Sequence, residues 1–169
     1  MPQTDSHKVE KEIRRIDGQL YETLTINDDD GNPVQNFDVP LKVELKLQDI
    51  LEIMVGASIL AVPVAFTEEV WTMGDELEWG RVALLNLVAV AFMGSFIYFK
   101  SYRQHLKMYR FEFYKRVLST FLISVLIVGL LLTIVDKCPW YTDFGLAMKR
   151  VLIGSFPAAM SATVTDNIS

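Results

Sequence analysis

Val117-Leu-Ser-Thr-Phe-Leu-Ile-Ser-Val-Leu-Ile-Val-Gly-Leu-Leu-Leu-Thr-Ile-Val135 contains no charged side chain. A helix needs about 20 apolar residues to cross a hydrocarbon layer about 30 Å thick, and this run meets that length. The run from Val82 to Phe99 is also free of charge. A chain of 169 residues is too short to bury two such helices in the middle of a soluble domain. The fold class that follows is an all-α membrane protein, and the remaining segments are read outward from these two.

Upstream, Ile53 to Thr67 carries no charge between Glu52 and Glu68. It is short, roughly 22 Å as a helix. Downstream, Val151 to Thr165 is another short uncharged run. The expectation is four transmembrane helices at about 48–70, 81–101, 115–135 and 146–165, together forming a domain over 48–166. The two short helices are the polar ones, with Ser58, Pro63 and Thr67 in the first and Gly154, Ser155, Pro157, Ser161, Thr163 and Thr165 in the fourth. Small and polar side chains belong against protein, while bulky aliphatics suit lipid. Helices one and four are therefore expected inside, and helices two and three on the lipid.

Residues 1–47 read as a separate cytosolic segment. Residues 5–17 are highly charged and read as a short helix. Leu20, Leu24 and Ile26 share one face at period two, Asn27 to Pro33 is dense in turn residues, and Leu41, Val43, Leu45 and Leu47 alternate with charges. That pattern reads as a β-hairpin. Asp28, Asp29, Asp30 and Asn32 lack the spacing of a calcium loop, so the turn reading stands.

The loops set an expected orientation. Lys100 to Arg116 holds six basic residues and one acid, whereas Thr67 to Gly80 holds five acids and no base. Cytoplasmic loops are enriched in Lys and Arg, which places both termini in the cytoplasm of a cell inner membrane. The basic linker could also lie on anionic lipid. Lys149 and Arg150 fall on the outer side in this arrangement, against the rule.

Net charge is −5, which argues against nucleic acid as a partner. His7 and His105 sit among charged residues, Cys138 is the one cysteine, and neither a phosphate loop nor a nucleophile elbow is present. No enzyme activity and no resident cofactor are expected. The suggestive feature is Thr67-Glu68-Glu69-Val70-Trp71, because acids next to hydrocarbon need water, a cation or a partner. In a homo-oligomer Glu68 and Glu69 would repeat around an axis as an acidic ring that attracts or binds a cation such as Ca²⁺. As solvated helix-end carboxylates they would do neither, and both readings fit the residues. Glu52 and Asp75 are secondary ion-site candidates. Pro63 frees a backbone carbonyl in the first helix. Gly154, Ser155, Pro157, Ala158 and Ser161 make the fourth helix narrow enough for close packing or a pore wall.

Gly56-Ala57-Ser58 through Pro63, Phe66-Thr67-Glu68-Glu69-Val70-Trp71 with Gly74, and Phe156-Pro157-Ala158-Ala159-Met160-Ser161-Ala162 resemble a prokaryotic family of integral membrane proteins of unknown function. The resemblance covers about 45–165 and implies a bacterial or archaeal inner membrane. The leading expectation is a homo-oligomeric cation channel, with Ca²⁺ as one candidate permeant ion and lipid and inorganic cations as partners. A small ion-coupled transporter using Glu52 and Glu68 is the alternative, and a non-transporting scaffold is the third.

Overall fold

In the computed structural model the described residues are 8–16, 19–27, 33–40, 44–103 and 109–168. The chain divides into two compact units, Met1–Glu44 and Leu45–Ser169.

The first unit is a three-stranded antiparallel sheet of β1 (Lys8–Ile16), β2 (Gln19–Asn27) and β3 (Pro33–Pro40), in that order. The short helix expected over 5–17 is therefore replaced by a strand. β1 pairs along its whole length with β2, from Lys8↔Asn27 to Ile16↔Gln19. The segment has too few apolar residues to bury a helix face. The β-branched and aromatic side chains of β2 (Tyr21, Thr23, Thr25, Ile26) make a pleated partner for it, so pairing overrides local preference. Leu20 and Thr23 are buried, and the Thr23 hydroxyl donates to Asp38 Oδ1 at 2.7 Å. The 28–32 turn and residues 41–43 lie outside the described residues. The alternation ending at Leu47 does not finish as a strand, because Leu47 opens a helix.

The second unit contains α1 (Leu47–Ala65), α2 (Glu68–Glu76), α3 (Trp79–Ile97), a π-helical turn (Tyr98–Tyr102), α4 (Arg110–Ile134) and α5 (Phe144–Ile168). The first helix stops earlier than expected. Pro63 cannot donate a backbone hydrogen bond, and the helix closes with Phe66 and Thr67 donating to the carbonyls of Pro63 and Val64 at 3.2 Å each. Thr67 then leads into α2.

Three helices, α1, α3 with its π turn, and α4, are long and apolar enough to cross a membrane. The expected fourth, α5, is as long as α4 but is not among them. Its residues explain the difference. It carries Lys149, Arg150 and Asp166, and its middle is small: Gly154, Ser155, Ala158, Ala159 and Ala162 are all buried. It packs on α1, α2, α3 and α4 together, so its surface is made for protein. α1, expected inside, instead shows Leu51, Val55, Ile59 and Val62 outward. α4 carries two stripes at four-residue spacing. Arg116, Thr120, Ser124, Val128 and Leu132 are buried, while Leu118, Leu122, Leu126, Leu130 and Ile134 are exposed. An apolar surface this extensive would invite aggregation in water and is what lipid requires.

The α1–α5 contact is close. A Cβ on Gly56 would sit 2.6 Å from Thr165 Cβ and 2.9 Å from Ala162 Cα. Nothing lies within 4 Å of the same atom built on Gly80, in the first turn of α3. Gly56→Ala is therefore expected to destabilise the detergent-solubilised protein by about 1–3 kcal/mol through overpacking and so to lower its thermal midpoint. Gly80→Ala should be neutral or raise it, because helical alanine is favoured over glycine by about 1 kcal/mol. Paired melts followed by circular dichroism check this, and equal midpoints would contradict the close approach.

Candidate functional site

Ionisable side chains gather at the end of the second unit where α1 and α4 begin and α3 and α5 finish. Arg116, one turn after the start of α4, and Asp166, in the last turn of α5, are 1% and 0% exposed in their side chains. Arg116 forms a two-pronged ion pair with Asp166, with Nε to Oδ2 and a terminal nitrogen to Oδ1, both 2.8 Å. The same guanidinium lies 3.3 Å from Asp49 Oδ2 and hydrogen-bonds the buried Tyr102 hydroxyl from the π turn. Asp49 is in the first turn of α1 because its carboxylate also accepts the Lys46 backbone N–H at 2.9 Å. Such an N-terminal cap stabilises a helix start.

Glu52, one turn further along α1, completes the group. Asp49, Glu52 and Asp166 each place a carboxylate oxygen within 4.8 Å of the others. The cluster thus gathers three acids from α1 and α5, two of which, Asp49 and Asp166, meet a guanidinium from α4. Alongside it, Ser101 donates to Asn167 Oδ1 at 3.1 Å, and Asn167 donates to the Thr163 carbonyl at 2.8 Å. Tyr102 and Phe113 pack edge to face at 5.4 Å.

A second polar group lies at the opposite end. α4 closes with Lys137 N–H donating to the Leu132 carbonyl at 2.8 Å, and Asp136 takes the left-handed conformation (φ 58°) that ends a helix. Arg150 of α5 donates to the Lys137 carbonyl at 2.8 Å, the Trp71 carbonyl at 3.2 Å and Asp75 Oδ2 at 3.0 Å. Lys137 stands 4.1 Å over the Trp71 ring, a cation–π contact. Arg150, one of the two basic residues that opposed the expected orientation, is thus tied into the fold.

A family model with the description Putative integral membrane protein (DUF2391) matches residues 18–166. The chain belongs to this family. It is an integral membrane protein with several apolar helices, and the match begins in the N-terminal sheet, well before the segment that carried the resemblance. No curated protein and no solved structure matches the chain.

The DUF2391 chain distributes its sequence-derived candidates unevenly. Glu68 and Glu69 are exposed in the first turn of α2, and the Thr67 hydroxyl donates to the Val64 carbonyl at 2.8 Å. Glu52 and Glu68 stand at opposite ends of α1, so they form no common site within one chain. Asp75 is half exposed and engaged with Arg150. Pro63 faces outward. Gly154 lets α5 approach Val128 and Val64, where a Cβ would sit 2.9 and 3.3 Å from their methyl carbons. Buried Ser155 donates to Asn86 Oδ1 at 3.4 Å and to the Leu152 carbonyl at 2.8 Å, and Ala158 is in the core. Pro157 and Ser161 lie half-buried along the same helix.

Asp49, Arg116, Asp166 and Tyr102 were not among the candidates. Arg116 reads as the last residue of a basic loop and Asp166 as the start of a polar tail. A signal was present: each lies within one or two turns of an apolar run, where an ionisable group calls for a partner.

Breaking a buried ion pair leaves one charge uncompensated, at a cost of about 3–5 kcal/mol, whereas replacing both partners by apolar groups is far milder. Arg116→Met should therefore destabilise the detergent-solubilised protein strongly, and Arg116→Met/Asp166→Leu should recover most of the loss. A single variant as stable as wild type would show that the pair carries no such weight. Burial pushes the Cys138 thiol upward, with Arg150 pulling it part of the way back. Maleimide labelling of Cys138 at pH 8 should therefore be slower than for an exposed thiol, and should speed up when detergent denatures the fold.

Proposed function

We propose that this membrane protein is a small proton-coupled transporter whose proton-binding station is Asp49, Glu52 and Asp166, organised by Arg116 and Tyr102. The observation that carries the reading is the convergence of three carboxylates from two helices, two of them, Asp49 and Asp166, on one buried guanidinium. Ionisable groups placed against membrane helices are costly, and proton relays and ion pathways are where they recur. A proton suits the cluster better than a divalent cation. It needs one lone pair, while both Asp166 oxygens and one Asp49 oxygen already accept hydrogen bonds, and the guanidinium repels a second cation at this distance.

The position of the cluster supports coupling. Its members come from α1, α4 and α5, so a change in protonation alters the force between helices that have no covalent link nearby.

A homo-oligomeric cation channel is the second reading, favoured by the exposure of Glu68 and Glu69 beside the end of α1, where copies around an axis would bring them into a ring. Calcium permeability belongs to this reading alone.

The test is flux in proteoliposomes carrying an internal pH-sensitive dye, under an imposed membrane potential and with Na⁺, K⁺ and Ca²⁺ compared. Potential-driven proton movement is expected for wild type, with at least a tenfold loss for Glu52→Gln and Asp166→Asn and none for Glu68→Gln/Glu69→Gln. Cation flux abolished by the Glu68→Gln/Glu69→Gln pair would select the channel. No proton movement from folded wild-type protein would overturn the proton-coupled reading.

A further inference from the structure

The lipid-facing surface between α3 and α5 is not smooth. A groove of about 300 Å³ runs between Phe92, Ser95 and Phe96 of α3, Phe99 of the π turn, and Met160 and Val164 of α5. It extends over roughly 10 Å of α3, and its walls are almost entirely apolar. Phe92, Phe96, Phe99 and Val164 are exposed side chains of a membrane-crossing helix and its neighbour. Water gains nothing in such a cleft, whereas an acyl chain fills it with dispersion contacts.

The end of the groove is charged. Phe99 is followed directly by Lys100, and one turn later by Arg103, and both bases are exposed. They belong to the π-helical turn Tyr98–Tyr102 and the residue that follows it. Tyr102 turns inward to Arg116 while Lys100 stays outside. Among the described acids at this end, Asp166 pairs with Arg116 and Glu112 with Lys115 at 3.3 Å. An apolar slot leading to exposed Lys and Arg has the shape and charge of a phospholipid with a negative headgroup.

We infer that the α3–α5 groove holds one acyl chain of an anionic phospholipid, with the headgroup on Lys100 and Arg103. The charge pattern argues against a second copy of this chain in the groove. Two copies in the same membrane orientation would bring Lys100 and Arg103 of each against those of the other. The inference stands apart from the proton-coupled reading, since none of its residues belongs to the carboxylate cluster.

The test is native mass spectrometry of the full chain released from detergent containing equal amounts of dioleoyl phosphatidylglycerol and dioleoyl phosphatidylcholine. Wild type is expected to retain phosphatidylglycerol by about 25-fold over phosphatidylcholine, roughly fivefold for each base. Lys100→Gln/Arg103→Gln should bring the two lipids to parity. Ser95→Trp should remove retention of both by filling the slot. Ser95 is exposed and bonds only the Ala91 carbonyl of its own helix among the contacts described, so the variant is expected to fold, and a circular dichroism melt confirms it. If that variant fails to fold, Val164→Phe at the groove mouth takes its place with the same expectation. Equal retention of both lipids by wild type would overturn the inference. So would phosphatidylglycerol retention that survives the filled slot, or a dimer that persists after delipidation and is lost in the filled variant.

Discussion

A helix surrounded by four others in so small a bundle has to be narrow, and the second unit is organised around that constraint. α5 meets it with Gly154, Ser155, Ala158, Ala159 and Ala162. α1 answers with Gly56, Ala57, Ala61 and Ala65, all buried. Without a hydrophobic drive between helices in lipid, van der Waals contact and hydrogen bonding hold them together, and small side chains let the backbones come close enough for both. The same composition removes α5 from the apolar helices by hydropathy. A helix shielded from lipid has no need of Leu and Phe, so low hydropathy and central position have one cause.

The polar burden of the fold follows from the same arrangement. Mid-bundle hydroxyls on Thr120, Ser124 and Thr163 donate to carbonyls one turn back in their own helices, at 2.8–2.9 Å. They are satisfied locally and ask nothing of neighbours. The charges are kept to the ends. Arg116 and Arg150 each receive several acceptors, and a guanidinium suits such sites because its planar fork serves more than one partner at once.

Legibility in the sequence tracked how local each signal is. The apolar runs of α3 and α4 are visible because length and absence of charge are properties of a single segment. The narrow α5 is visible as composition, although composition alone places α1 in the interior and carries the first helix through Pro63 to about residue 70. The strand at Lys8–Ile16 was not legible, since its conformation depends on β2 pairing with it. The carboxylate cluster was hidden for the same reason. Asp49, Arg116 and Asp166 are separated by more than a hundred residues from first to last, and each looks ordinary in its own stretch. Glu68 and Glu69 drew attention because they are adjacent in sequence, which is a poor guide to convergence in space.

The two end clusters also limit how this bundle can move. α5 is fastened at both ends, by Asp166 to Arg116 and by Arg150 to the carbonyls of Trp71 and Lys137. These anchors are roughly 24 Å apart along the helix. Sliding α5 by one turn, about 5.4 Å, would break both sets at once and strand two guanidinium groups. Between the anchors α5 is closely packed, since a Cβ on Gly154, or on Gly56 of α1 facing Ala162 and Thr165, would come within 3 Å of its neighbours. Loss of one cluster alone would leave α5 held at its other end.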